Sequence, residues 1–88
     1  MDTANSESTI RQFVAARLGI GAEKLGFDDD LRALGLDSII ALQVVLDVEQ
    51  HFGIEIEDHV VFAVETIREF AAAVDKIVSL QSGGVTTP

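Results

Sequence analysis

A run of 15 residues, Ser38–Phe52, carries apolar side chains on two faces of a helix, and any fold of this chain must find a place for both. Ala41, Val44, Val45, Val48 and Phe52 fall on one face at helical spacing, enough to bury the helix against a core. Ile39, Leu42 and Leu46 make a second stripe that a core on one side does not cover. Two readings stay open on periodicity alone. The helix is buried on both sides, or the stripe is a docking surface rimmed by Asp37, Gln43, Asp47, Glu49 and Gln50. Gly53 supplies a stop, and His51 in the last turn suits the negative end of the helix dipole.

The remaining elements follow from the same periodicity. Ser8 is a candidate N-cap for a first helix in which Ile10, Phe13, Val14 and Leu18 share a face, with Gly19 as its stop. Residues 19–37 hold four glycines and an acidic run and read as a long loop, pinned to the core by Ile20, Leu25, Phe27, Leu31 and Leu34. Residues 58–64 are expected to form a brief helical turn. Thr66 with Glu69 makes a capping box for a last helix reaching about Leu80, with Ile67, Phe70, Val74, Ile77 and Val78 on its buried stripe. The expected fold is all-α, a four-helix bundle of three longer helices and one short third helix, with a long first loop. Residues 8–80 read as one domain between polar tails at 1–7 and 81–88, which are expected to be flexible.

An 88-residue chain that is 48% hydrophobic can bury a core, but its net stability is expected to be only a few kcal/mol. Fifteen acids against six Lys and Arg give a formal net charge of −9, which argues against nucleic acid or an anionic membrane as partner and favours basic protein surfaces. The chain has no cysteine, hence no disulfide framework and no thiolate of its own. No apolar run approaches the ~20 residues that span a bilayer, and the polar start lacks the pattern of a signal peptide. A monomer in the cytoplasm is the expectation.

Asp37 and Ser38 stand where the central helix begins, and either side chain suits the N-cap. If Asp37 caps, Ser38 becomes the first helical residue and its hydroxyl faces solvent at the positive end of the dipole, where an attached anion would be stabilised. Leu36-Asp37-Ser38-Ile39, preceded by Asp30-Leu31 and Leu34-Gly35, resembles the modification motif of acyl and peptidyl carrier proteins. Phe52-Gly53-Ile54-Glu55-Ile56 and Thr66-Ile67 resemble later phrases of the same family, in its order and spacing.

The resemblance implies that Ser38 carries 4'-phosphopantetheine, transferred from coenzyme A by a phosphopantetheinyl transferase that uses magnesium. Biosynthetic intermediates would then ride on the arm as thioesters while partner enzymes do the catalysis. Those partners would be a loading enzyme for acyl or aminoacyl groups, a ketosynthase or condensation enzyme, an acyltransferase and tailoring enzymes. Asp37 matches the acid that presents the serine to the transferase. Leu36, Ile39, Ile40, Leu42, Gln43, Leu46 and Glu49 match positions facing partners. Ile40 and Gln43 stand where carriers of fatty-acid synthesis are typically acidic, and Glu57 replaces a proline often found after the Ile-Glu-Ile phrase. The resemblance is therefore to carriers of polyketide and nonribosomal peptide assembly lines, with Leu36 favouring acyl over peptidyl cargo.

Other chemistry fits the residues less well. An EF-hand loop counted from Asp28 would need glycine at Ala33 and glutamate at Ile39. His51 and His59 have no third ligand at metal spacing, and Ser38 has no evident histidine to activate it. A small helical adaptor without a prosthetic group would explain the stripe and the acidity, but not the placing of Asp37 and Ser38.

Overall fold

The computed structural model describes residues 3–86, and side chains over residues 6–81. Four α-helices and no strand occur among the described residues: α1 Thr3–Leu18, α2 Ser38–Phe52, α3 Asp58–Ala63 and α4 Ile67–Thr86, with a single 3-10 turn, Ala22–Lys24, in the long loop. Helix α1 packs against both α4 and α2, and α3 leans on α2.

The core is built from the residues whose spacing predicts it. Ile10 and Val14 of α1, Val44, Val45 and Val48 of α2, and Ile67, Phe70 and Val74 of α4 are all buried. Ala15 of α1 and Ala71 of α4 are buried with them. Helix α2 keeps its expected bounds. Asp37 Oδ1 accepts from Ile40 N at 2.8 Å, and Gly53, in the left-handed region at φ 68°, closes the last turn with its N–H on Glu49 O.

Helix α1 departs from expectation at its start. It begins at Thr3, ahead of the candidate cap Ser8, because contacts from α4 hold its first turns. The buried Ser6 hydroxyl donates to Asp75 Oδ1 at 2.6 Å, and Glu7 lies 3.5 Å from Arg68. Helix α4 likewise runs past Leu80 to Thr86, and Gln81 bonds the backbone of Glu55. Of the expected tails, 1–7 and 81–88, residues 3–7 and 81–86 are helical, and residues 1–2 and 87–88 lie outside the described residues.

The long loop is fastened at fewer points than its apolar residues suggest. Leu25 and Leu31 are buried, whereas Ile20 and Leu34 are exposed. Each of those two sits beside a glycine of positive φ, Gly19 or Gly35, where the chain turns away from the core. Phe27 is held between the guanidinium groups of Arg11 and Arg68, at 4.7 and 5.9 Å from its ring centre. Arg68 also grips Asp28 at 2.7 Å, and backbone bonds from Leu31 N to Glu65 O and from Arg68 N to Phe27 O join the loop to the start of α4. The capping box at α4 is displaced by one residue. Thr66 Oγ1 accepts from Glu69 N as expected, but the Glu69 carboxylate reaches back to Glu65 N.

Candidate functional site

Asp37 takes the capping role, so Ser38 is left as the first residue of α2 with its side chain exposed and outside the helix's own capping bond. The first backbone bond of the helix, Ala41 N to Asp37 O at 2.8 Å, confirms that Asp37 and not Ser38 is the boundary. The hydroxyl therefore meets solvent beside the unpaired N–H groups of the first turn, a setting that favours an anionic substituent.

Ser38 also lines a groove of 180 Å³ between α2 and α3, together with Arg32, Leu36, Asp37, Ala41, Val61, Phe62 and Val64. Beneath it Leu36, Ala41, Val61 and Val64 border a narrow apolar void of 10 Å³ that reaches Val44 and Phe70 in the core. The groove is apolar along its floor and carries charge at its rim, from Asp37 and Arg32.

The expected partner residues divide into three sets. Ile39, Leu42 and Leu46 form a continuous exposed stripe, at 68%, 43% and 56% exposure, so the reading of α2 as buried on two sides is set aside. Gln43 is exposed beside them, Leu36 is half-buried in the groove, and Ile40 is half-buried against the core. Glu49 is half-buried on the same helix. Its carboxylate is turned back to accept from Ile56 N at 2.8 Å and is engaged within the fold. Asp47 on the rim is likewise taken up by Arg17 of α1.

Arg32, Val61 and Phe62 line the groove although the sequence pattern does not mark them. The signal that points to them is the content of α3, where Val60, Val61 and Phe62 stand in a six-residue helix that buries only Val61. No group of three potential metal ligands occurs among the described residues. His51 stacks edge-on with Phe13 and Phe52, with ring centres 5.6 and 4.8 Å apart. No helix among the described residues is long and apolar enough to cross a membrane.

A family model described as a phosphopantetheine attachment site matches residues 8–74. The chain belongs to the phosphopantetheine-binding carrier family. Members carry a covalently attached 4'-phosphopantetheine group. The carrier is 34% identical over 64 residues to acyl carrier protein 2 of Pseudomonas aeruginosa, a match covering 72% of this chain and 81% of that one. It is 30% identical over 73 residues to one subunit of the phenolphthiocerol/phthiocerol polyketide synthase of Mycobacterium tuberculosis, covering 83% of this chain but 4% of the synthase polypeptide.

Among solved structures, a free-standing peptidyl carrier protein from a secondary metabolic pathway of Acinetobacter baumannii superposes with a TM-score of 0.79 at 31% identity, covering 85% of this chain and 94% of that one. An acyl carrier domain from the CurA module of Lyngbya majuscula gives a TM-score of 0.81 at 20% identity, covering 92% and 82%, and speaks to the fold alone. The all-α bundle is thus the carrier fold. The residues at the start of α2 fit the family's prosthetic group: an exposed hydroxyl released from capping, at a helix start that tolerates a phosphodiester, opens on a groove with an apolar floor.

Proposed function

We propose that this carrier holds biosynthetic intermediates as thioesters on a 4'-phosphopantetheine arm joined to Ser38, does no catalysis itself, and serves a polyketide or hybrid secondary-metabolite assembly line. The observation that carries the reading is the division of labour at the start of α2, where Asp37 caps and Ser38 is left exposed. Within a transferase, Ser38 Oγ would attack the pantetheine-bearing phosphorus of coenzyme A. The new Oγ–P bond replaces the P–O bond to adenosine 3',5'-bisphosphate, which leaves, and the hydroxyl proton passes to a base of the transferase. Asp37 keeps a carboxylate beside that hydroxyl, where the transferase's magnesium needs a ligand. The bound group supplies the thiol that a chain without cysteine lacks.

The stripe of Ile39, Leu42 and Leu46 would dock partner enzymes through apolar contact, with Ile40 and Gln43 leaving α2 less charged near Ser38. The similarity to part of a polyketide synthase supports acyl cargo. The similarity to a free-standing peptidyl carrier supports a second reading, in which the cargo is aminoacyl or peptidyl.

Incubation with coenzyme A, magnesium and a broad-specificity transferase, read by intact mass, tests the attachment. Wild type should gain one phosphopantetheine and Ser38→Ala none; no gain in wild type, or a gain in both, overturns the proposal. Mass spectrometry of the arm ejected from protein isolated from its producing cell decides between acyl and aminoacyl cargo.

A further inference from the structure

Helix α3 makes the far wall of the groove, yet its own sequence does little to hold it there. It has six residues, one buried side chain, no side-chain bond at its N-cap Glu57 and no basic residue in its last turn. A helix so short does not stand alone, and its last carbonyls need partners from outside. Two side chains from other elements meet its ends. Before its first turn, Glu49 of α2 fixes Ile56 N. At its last turn, Arg32 from the long loop donates Nη2–H to the carbonyl oxygen of Phe62 at 3.1 Å, and Arg32 Nη1 lies 3.7 Å from Glu65. Arg32 is also the one cation among the residues lining the groove.

From these contacts we infer that Arg32 is a positioning residue for the Ser38 site. It caps α3 from outside the helix and so sets where the wall of Val61, Phe62 and Val64 stands opposite Ser38 and Ala41. The functional meaning rests on the reading of Ser38 as the attachment point; the contact does not. The planar guanidinium reaches the carbonyl and the carboxylate at once, a geometry that a lysine ammonium reproduces only in part. The pair with Glu65 is exposed on both sides and contributes little. The bond to the Phe62 carbonyl, with a cation at the negative end of the helix, does the holding.

Amide hydrogen exchange on the unmodified chain tests the contact, and transferase kinetics test its consequence. Arg32→Gln should speed exchange across α3 about fivefold while α1, α2 and α4 are unchanged, the opening expected from the loss of one exposed hydrogen bond. It should also raise the KM of the transferase for the carrier about threefold with little change in kcat, a displaced docking geometry rather than altered chemistry. Arg32→Lys should restore part of both effects, and Glu65→Gln should show little of either. Lys24→Gln, the same charge change elsewhere on the surface, should show neither. Unchanged α3 exchange in Arg32→Gln, an unchanged KM, an equal effect in Lys24→Gln, or faster exchange in all helices together would each overturn the inference. Failure of wild type to be modified would instead sink the attachment reading, and the exchange result would still decide whether Arg32 holds α3.

Discussion

Arg17 of α1 and Asp47 of α2 form a two-pronged ion pair across the bundle, with Nε and Nη2 each 2.9 Å from a carboxylate oxygen. The pair removes Asp47 from the rim of the exposed stripe and uses it to brace the two helices. Hydrogen bonding from Arg17, reinforced by charge attraction, holds the Asp47 carboxyl below its ordinary value of 3.8.

A carboxyl whose folded pKa is depressed contributes stability above its unfolded value and loses it as pH falls through the folded one. Asp47→Asn should therefore melt below wild type at pH 7, and the gap should close as the pH drops through and below the ordinary carboxylate range. Thermal melts of both proteins from pH 7 to pH 2.5 check this. Because the pair is exposed, the gap should stay smaller than that of any core truncation.

The two faces of α2 should respond oppositely to substitution. Val48 is fully buried, and Val48→Ala should cost about 2 kcal/mol in urea unfolding, a large share of the few kcal/mol a chain this size holds. Leu46 is 56% exposed, and Leu46→Asp should change stability by under about 0.5 kcal/mol. Transfer between the loaded carrier and a partner enzyme should nevertheless fall about tenfold in Leu46→Asp, as loss of a central apolar contact implies. A large loss of helicity in that variant would place Leu46 in the core.

Asp37 caps α2, and the proposed function gives it a second role beside Ser38. Asp37→Ala should cost about 1 kcal/mol through the lost cap, while Asp37→Asn, which keeps the acceptor, should cost almost nothing. Both should slow modification by the transferase, since both remove the charge beside Ser38. Urea unfolding with a timed intact-mass assay reads the two effects on the same samples.

Gly53 stands at φ 68°, and a Cβ there would meet nothing within 4 Å. Gly53→Ala should therefore cost about 1 kcal/mol from backbone strain alone, with Gly53→Asn recovering part of it. Calorimetry on the three proteins checks the order.

What the sequence reveals most clearly is whatever is signalled nearby along the chain. Helix α2 has its cap at Asp37 and its stop at Gly53, both adjacent to it, and its bounds match expectation. The start of α1 lies ahead of the expected Ser8 because it depends on Ser6 meeting Asp75, 69 residues away. The bond made by Glu49 is not legible in the sequence, because spacing fixes the face a residue occupies and not where a flexible carboxylate turns, here to a backbone N–H seven residues on. The groove wall is hidden for the first of these reasons, since Arg32 and Phe62 are 30 residues apart and meet only in the folded chain.

Ile39, Leu42 and Leu46 leave a sizeable apolar strip on the surface of a small protein, and such strips drive identical copies together. A formal charge of −9 on the same surface acts as a dispersant, pushing copies apart over the ~8 Å that charges are felt at physiological salt. Under the proposed function, that repulsion would keep the strip uncovered by other copies and leave it to a partner of opposite charge. The excess acid would in this sense be a colloidal device, offsetting the tendency of an exposed apolar strip to join copies of the chain.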